Sequence, residues 1–144
     1  MEEIIYHYET DFELNQADNI SQWLNDSIEA EGKELGELNY IFCDDEYLLK
    51  VNIDHLNHDY YTDIITFDYC EDDLIISDLF ISIDRIKDNA NTYGVSFKEE
   101  LHRVMIHGVM HLCGYKDKSE AEAEKMRERE NHYLQQLTPV KLKK

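Results

Sequence analysis

His107-Gly108-Val109-Met110-His111-Leu112-Cys113-Gly114-Tyr115-Lys116-Asp117 reads as a helix end followed by a tight return. Histidines four apart lie one turn from each other on one side of a helix, so their imidazoles can converge on a single ion. Gly114 is the expected stop, because glycine takes the left-handed conformation after a helix without strain. A turn at Tyr115-Lys116 then brings Asp117 back toward the two rings. Two imidazoles and a carboxylate make a three-ligand set with an open position, the usual arrangement of catalytic zinc. The pattern argues against a peptidase of the His-Glu-x-x-His type, since Gly108 stands where the general-base glutamate belongs. Glycine inside a helix costs about 1 kcal/mol relative to alanine, which points to close backbone packing there.

The rest of this helix is legible upstream. Ser96-x-x-Glu99 is a capping box that opens it. Phe97, Leu101, Val104, Met105, Gly108 and Leu112 fall on one stripe, which is expected to pack on a sheet. His107 and His111 lie on the flank of that stripe, together with Glu100. Glu100 reads either as a group behind the ligands or as an ordinary exposed glutamate. Downstream, Ser119-x-x-Glu122 is a second capping box. It begins a highly charged helix carrying Met126, Tyr133, Leu134 and Leu137, whose charges read as a solvated face. Thr138-Pro139 is the expected end of that helix, with residues 138–144 a flexible basic tail containing Lys141, Lys143 and Lys144.

Before the motif helix the chain alternates. Ile4-Ile5-Tyr6-His7-Tyr8 is a β-rich run. Helical spacing of Ile20, Trp23, Leu24, Ser27 and Ile28 predicts a helix over residues 17–31, flanked at its exit by Gly32 and Gly36. Residues 38–43 read as a strand, and Asp44 caps a helix carrying Leu48, Leu49, Val51 and Ile53. A loop then enters a buried strand near Thr62, followed by a strand over 74–83 and a helix over 84–93 that ends at Gly94. The order β-α-β-α-β-β followed by helices predicts an α/β (α+β-like) sandwich. It would be one domain spanning 1–144, with a mixed sheet of about four strands packed with helices. The metal site would lie at the end of the motif helix.

The chain has 144 residues, enough for one domain with one core. The formal charge is −18, from 32 acidic against 14 basic residues, which argues against RNA binding by a broad basic surface. Any RNA contact must be local, metal-assisted or helped by a partner. Cys43, Cys70 and Cys113 are widely spaced and odd in number, so neither a disulfide framework nor a thiolate zinc site is indicated. No apolar run approaches a membrane span, and Met1-Glu2-Glu3 lacks the positive region of a secretion signal, so a cytoplasmic protein is expected.

The motif resembles the signature of the YbeY family of bacterial metal-dependent endoribonucleases, His-Gly-x-x-His-Leu-x-Gly-Tyr-Asp-His. His107, Gly108, His111, Leu112, Gly114 and Tyr115 match it. Lys116 stands where the family usually has aspartate, and Asp117 where it has its third histidine. A second family pattern, Asn-x-x-Tyr-Arg-x-Lys-Asp-x-Pro-Thr-Asp-Val-Leu-Ser-Phe, is matched by Asn52, Asp59, Thr62, Asp63 and Phe67. Ile64, Ile65 and Thr66 are conservative replacements, whereas His55, Leu56, His58 and Tyr61 depart from it. The family Gly-Asp-Ile is represented by Ser77-Asp78-Leu79.

The resemblance implies a small mixed sheet with helices around it and a single-strand-specific endoribonuclease. That enzyme would act in 16S rRNA 3′-end maturation and ribosome quality control. Its partners would be ribosomal RNA and the small ribosomal subunit, with ribosome-associated proteins and no membrane. His107, His111 and Asp117 would hold one divalent ion, zinc first, that activates a water and offsets phosphate charge. The carboxylate makes that ion less electrophilic than three imidazoles would, and admits manganese, cobalt or nickel. The family arginine is replaced by Leu56, which cannot neutralise a phosphate. His58 is the candidate catalytic substitute, with His55, Arg103, Lys116 and Lys118 as the other nearby cations. Asp78 either orients a ligand histidine from behind or caps a strand end. Two rival readings are a non-catalytic ribosome assembly factor with a structural metal, and a metal-dependent hydrolase of a small substrate.

Overall fold

A computed structural model describes residues 3–142. Four strands, β1 (Glu3–Tyr8), β2 (Glu34–Cys43), β3 (Ile64–Asp68) and β4 (Leu74–Ser82), form one sheet in the order β1-β2-β4-β3. β1, β2 and β4 run parallel, and β3 pairs antiparallel with β4, so the sheet is mixed and β3 is an edge. Among the described residues there are five helices: α1 (Ala17–Ala30), α2 (Asp45–Leu56), α3 (Ile83–Tyr93), α4 (Phe97–Leu112) and α5 (Glu120–Leu142). The element order and the four-stranded mixed α/β sheet are those expected.

Strand alternation assigns the two faces. Leu38, Tyr40 and Phe42 of β2 and Ile75, Leu79 and Ile81 of β4 join Trp23, Leu24 and Ile28 of α1 and Met105, Val109 and Met110 of α4 in the main core. Met126 and Tyr133 of α5 belong to the same cluster. The opposite face is covered by α2, through Cys43, Leu48 and Ile65 with Val51, Phe67 and Phe80 beside them. Asp78 lies between Ser77 and Leu79, so it points to the α2 face. It therefore cannot orient a histidine of α4, and that expected role falls away.

Gly108 seats α4 on the sheet. A Cβ there would meet Leu79 Cδ2 at 2.7 Å and Ile64 Cδ1 at 3.0 Å. The glycine thus lets the helix backbone approach β3 and β4, as its position in the apolar stripe suggests. Tyr40, fully buried, donates its hydroxyl to the Met105 carbonyl at 3.0 Å and holds the same helix to β2.

Both serine caps are present, and the Ser119 box closes in both directions. Ser96 Oγ accepts from Glu99 N, and Ser119 with Glu122 bond reciprocally at 3.1 Å each way. Two expectations change. β2 begins at Glu34, earlier than the apolar run alone indicates, because Gly36 sits at a bulge where any Cβ would meet the Ile75 carbonyl at 2.9 Å. α5 continues to Leu142, past the expected stop at Thr138-Pro139. The proline there removes one backbone bond close to the helix end. Lys143 and Lys144 of the expected tail lie outside the described residues. No helix among the described residues is long and apolar enough to cross a membrane.

Candidate metal centre

The return after α4 is a Schellman turn. Gly114 adopts φ +109°, Gly114 N bonds His111 O at 3.0 Å, and Tyr115 N bonds Met110 O at 3.0 Å. This reversal carries Asp117 back over the last turn of the helix. Asp117 Oδ2 then lies 3.4 Å from His107 Nε2 and 3.4 Å from His111 Nε2. The three ligand atoms fall within 4.8 Å of one another, and the two rings stand nearly perpendicular at 86°. The expected triad is therefore brought together.

The outer ring nitrogens decide what the inner ones can do. His107 Nδ1–H donates to Glu130 Oε2 at 2.6 Å, and His111 Nδ1–H donates to the Tyr115 carbonyl at 3.0 Å. With both Nδ1 atoms acting as donors, both Nε2 lone pairs face the Asp117 oxygen. Three electron pairs converge there without a donor among them. Such a set is stable around a cation, and two imidazole nitrogens with one carboxylate suit zinc or a neighbouring first-row ion.

Glu130 is the residue the sequence concealed. It lies on α5, among charges that read as a solvated face, yet it is only 5% exposed. Burial pushes its carboxyl up, but the bonds from His107 and Arg103 outweigh that and hold it below the ordinary glutamate value. Arg103 Nη1 reaches it at 2.9 Å, and Arg103 Nη2 bonds Asn131 at 2.8 Å. Burial lowers the His107 pKa, but Glu130 first and Asp117 next raise it to a net increase. The available signal was periodicity: Met126, Glu130, Tyr133 and Leu137 share one helical stripe of α5.

A second support comes from the far end of α1. Glu31 accepts from Tyr115 Oη at 2.8 Å, from Arg129 Nη2 at 2.8 Å and from the Tyr133 hydroxyl. It thereby holds the residue whose carbonyl orients His111. Burial raises the Glu31 pKa, and the Tyr133 and Tyr115 hydroxyls with Arg129 bring it below the ordinary value.

The triad opens into a groove of about 650 Å³ between β3 and the α4 return, walled by Tyr60, Thr62, Ile64, Thr66 and Asp68 on one side. A second recess of about 420 Å³ adjoins it, and Asp63 and His107 line both. Burial raises the Asp63 pKa, and the charge of His107 lowers it in part. Glu100 is buried within this recess and is not an exposed helix glutamate. Burial, with Asp63 next, raises its pKa.

The cation candidates fare differently. Arg103 is committed to Glu130 and Asn131. His55 packs edge-on against Phe67, on the face away from α4. Leu56 ends α2 and is 40% exposed, and Lys116 and Lys118 are exposed. His58 stacks on Tyr60 at 5.2 Å and is not among the groove's lining residues, although Tyr60 is. No lysine or arginine lines the groove at the triad among the described residues.

Comparison with known proteins places the chain. The sequence profile of endoribonuclease YbeY matches residues 5–138. A Flavobacterium johnsoniae protein named endoribonuclease YbeY is 53% identical over 131 residues, 91% of this chain and 94% of that one. The protein of the same name from Bacteroides thetaiotaomicron is 54% identical over 114 residues, 79% of this chain and 83% of that one. A Thermotoga maritima protein of known solution structure is similar in fold, with a TM-score of 0.67 and 23% identity, covering 96% of this chain and 93% of that one. With the profile spanning nearly the whole chain and relatives at about half identity, the chain belongs to the endoribonuclease YbeY family.

Proposed function

We propose that this protein is a single-strand-specific, metal-dependent endoribonuclease of the cytoplasm, acting in 16S ribosomal RNA 3′-end maturation and ribosome quality control on the small ribosomal subunit. The observation that carries the reading is the convergence of His107 Nε2, His111 Nε2 and Asp117 Oδ2 at the floor of an open polar groove. Family membership supports the reaction class, and the proposal extends it to the ribosomal substrate. The open groove and its threonine and aspartate walls favour a polymer over a small apolar substrate.

His107, His111 and Asp117 would hold one divalent ion, with zinc the first candidate. Such an ion supplies Lewis acidity and an activated water to phosphodiester hydrolysis. Glu130 and the Tyr115 carbonyl fix the two rings in the tautomer that presents Nε2. Leu112, Ile64 and Thr66 form the groove wall beside the ligands and limit how the strand approaches. Asp63 bounds the groove next to His107 and keeps a polar group at the wall. Hydrolysis would form a P–O bond from water and break the P–O bond to the leaving ribose oxygen, which takes up a proton, so an ordered phosphate beside the triad is the geometric requirement.

The rival reading as an assembly factor without catalysis draws on Leu56 in place of the family arginine and on the absence, among the described residues, of lysine and arginine from the groove lining. One experiment separates the two. Protein purified without an affinity tag is given a single-stranded 16S 3′ precursor and the same RNA annealed to its complement. Cleavage of the single strand alone, abolished by a chelator and restored by zinc or manganese, is the expected result. Equal cleavage by Asp117→Ala protein would assign the activity to a contaminant and leave binding as the function.

A further inference from the structure

The groove presents a problem of charge. Asp63, Asp68 and Asp117 line it, no lysine or arginine does among the described residues, and the whole chain carries −18. The adjoining recess adds only Arg127 and Arg103, the latter already paired with Glu130, so counter-ion release, the usual source of affinity for RNA, is limited here. Beyond the divalent ion at the triad, affinity is best drawn from a contact that ignores charge. Base stacking on an aromatic ring is such a contact, because every nucleobase has a π face.

Tyr60 is built for it. The side chain is 55% exposed, yet it forms part of the lining of the metal groove. One face of the ring rests on His58, with centroids 5.2 Å apart and planes 19° from parallel, and its hydroxyl lies 3.0 Å from His58 Nδ1. The backbone beneath is pinned. Asn52, only 2% exposed, donates Nδ2–H to the Tyr60 carbonyl at 2.9 Å, and the Asn52 carbonyl accepts from His58 N at 3.1 Å. A buried side chain of α2 thus holds an otherwise exposed loop so that an aromatic plane stands at the rim of the metal groove. The plane is backed by a second ring and its position is set before ligand arrives, which reduces the ordering cost of binding.

We infer that Tyr60, backed by His58, stacks a nucleobase of single-stranded RNA adjacent to the phosphate at the His107–His111–Asp117 centre. This rests on the nuclease reading and adds a base-binding position to it. His58 then acts as the support of the stacking ring and not as a catalytic group. Duplex RNA is rejected at this position, because its bases are already stacked on each other. The recognition is indifferent to base identity.

The test uses the full-length, metal-loaded protein and a single-stranded oligoribonucleotide that the wild type cleaves, together with copies carrying one abasic site at successive positions. Tyr60→Ala is expected to raise KM roughly ten-fold, as for loss of one stacking aromatic. Tyr60→Phe is expected to stay close to wild type. An abasic site at one position near the cut should weaken the wild type by a similar factor, while Tyr60→Ala becomes insensitive to it. Zinc affinity of Tyr60→Ala, measured alongside, should equal that of wild type, since Asn52 grips the backbone and not the ring. Wild-type KM in Tyr60→Ala, or abasic sensitivity that persists unchanged in it, would overturn the stacking proposal while leaving the nuclease reading intact. Failure of the wild type to cleave any single-stranded RNA would overturn both.

Discussion

His107 donates from Nδ1 to Glu130 Oε2 at 2.6 Å, joining the candidate metal-ligating edge of α4 to α5 across 23 positions of sequence. The same carboxylate takes Arg103 on its other oxygen. This bond fixes the ring orientation and keeps the Nε2 lone pair directed at Asp117. Removing such a support behind a ligand histidine typically lowers metal affinity by about 10–100-fold. Glu130→Ala is therefore expected to lose zinc affinity in that range, read by competition with a fluorescent chelator. Unchanged affinity would show that His107 needs no partner behind it.

Gly108 makes a stability prediction with opposing terms. Alanine gains about 1 kcal/mol of helix propensity. Its Cβ, however, would stand 2.7 Å from Leu79 Cδ2 in a fully buried part of the core. Overpacking of that kind costs about 1–3 kcal/mol, and neighbours held from all sides yield little. Gly108→Ala is expected to be destabilised in urea by up to about 2 kcal/mol, the cost less the propensity gain. A variant more stable than wild type would mean that β3 and α4 can move apart freely.

Glu31 gives a pH dependence with a defined sign. Its ordinary pKa of 4.5 is lowered in the folded chain, despite burial, by Tyr133, Tyr115 and Arg129. A group whose folded pKa is depressed stabilises fully above its unfolded value, and the contribution disappears as pH falls through the folded value. Wild type should thus lose stability from about pH 4.5 downward through this group. Glu31→Gln should be less stable at neutral pH, by about 1–3 kcal/mol for lost bonds to a charged acceptor. Its disadvantage should shrink as the pH drops below 4. Denaturant midpoints of the two proteins across that range provide the check, and a constant gap would contradict the assignment.

The local devices of this fold were visible in the residues. Ser96, Ser119 and Gly114 each carry a signal whose physics lies within one helical turn, and each behaves as its residue type demands. The return of Asp117 follows from Gly114 in the same way. What stayed hidden depends on distance in sequence. Glu130 and Glu31 reach the centre from other helices, and no periodicity around the motif contains them. Glu130 had a weak signal, a charge on the apolar stripe of Met126 and Tyr133, that the many surrounding charges obscured. Asp78 matched a family position, but strand alternation directs it to the far face of the sheet. The sequence could not assign that face before the sheet order was known.

Salt tests how the acidic surface meets RNA. With no lysine or arginine lining the groove among the described residues, and only Arg103 and Arg127 in the adjoining recess, few counter-ions are released on binding. The logarithm of kcat/KM should fall with the logarithm of salt with a slope shallower than about −2, since each phosphate neutralised by a cation contributes roughly −0.7 on a single strand. A much steeper slope would place several basic side chains on the substrate.

Whether His107, His111 and Asp117 share one cation is decided by metal content. Tag-free wild-type protein, equilibrated with zinc or manganese and freed of excess, should carry one divalent ion per chain by elemental analysis, and Asp117→Ala should carry little of it. Protein that stays empty under every metal tried, or an Asp117→Ala variant that retains its full complement, would contradict the account.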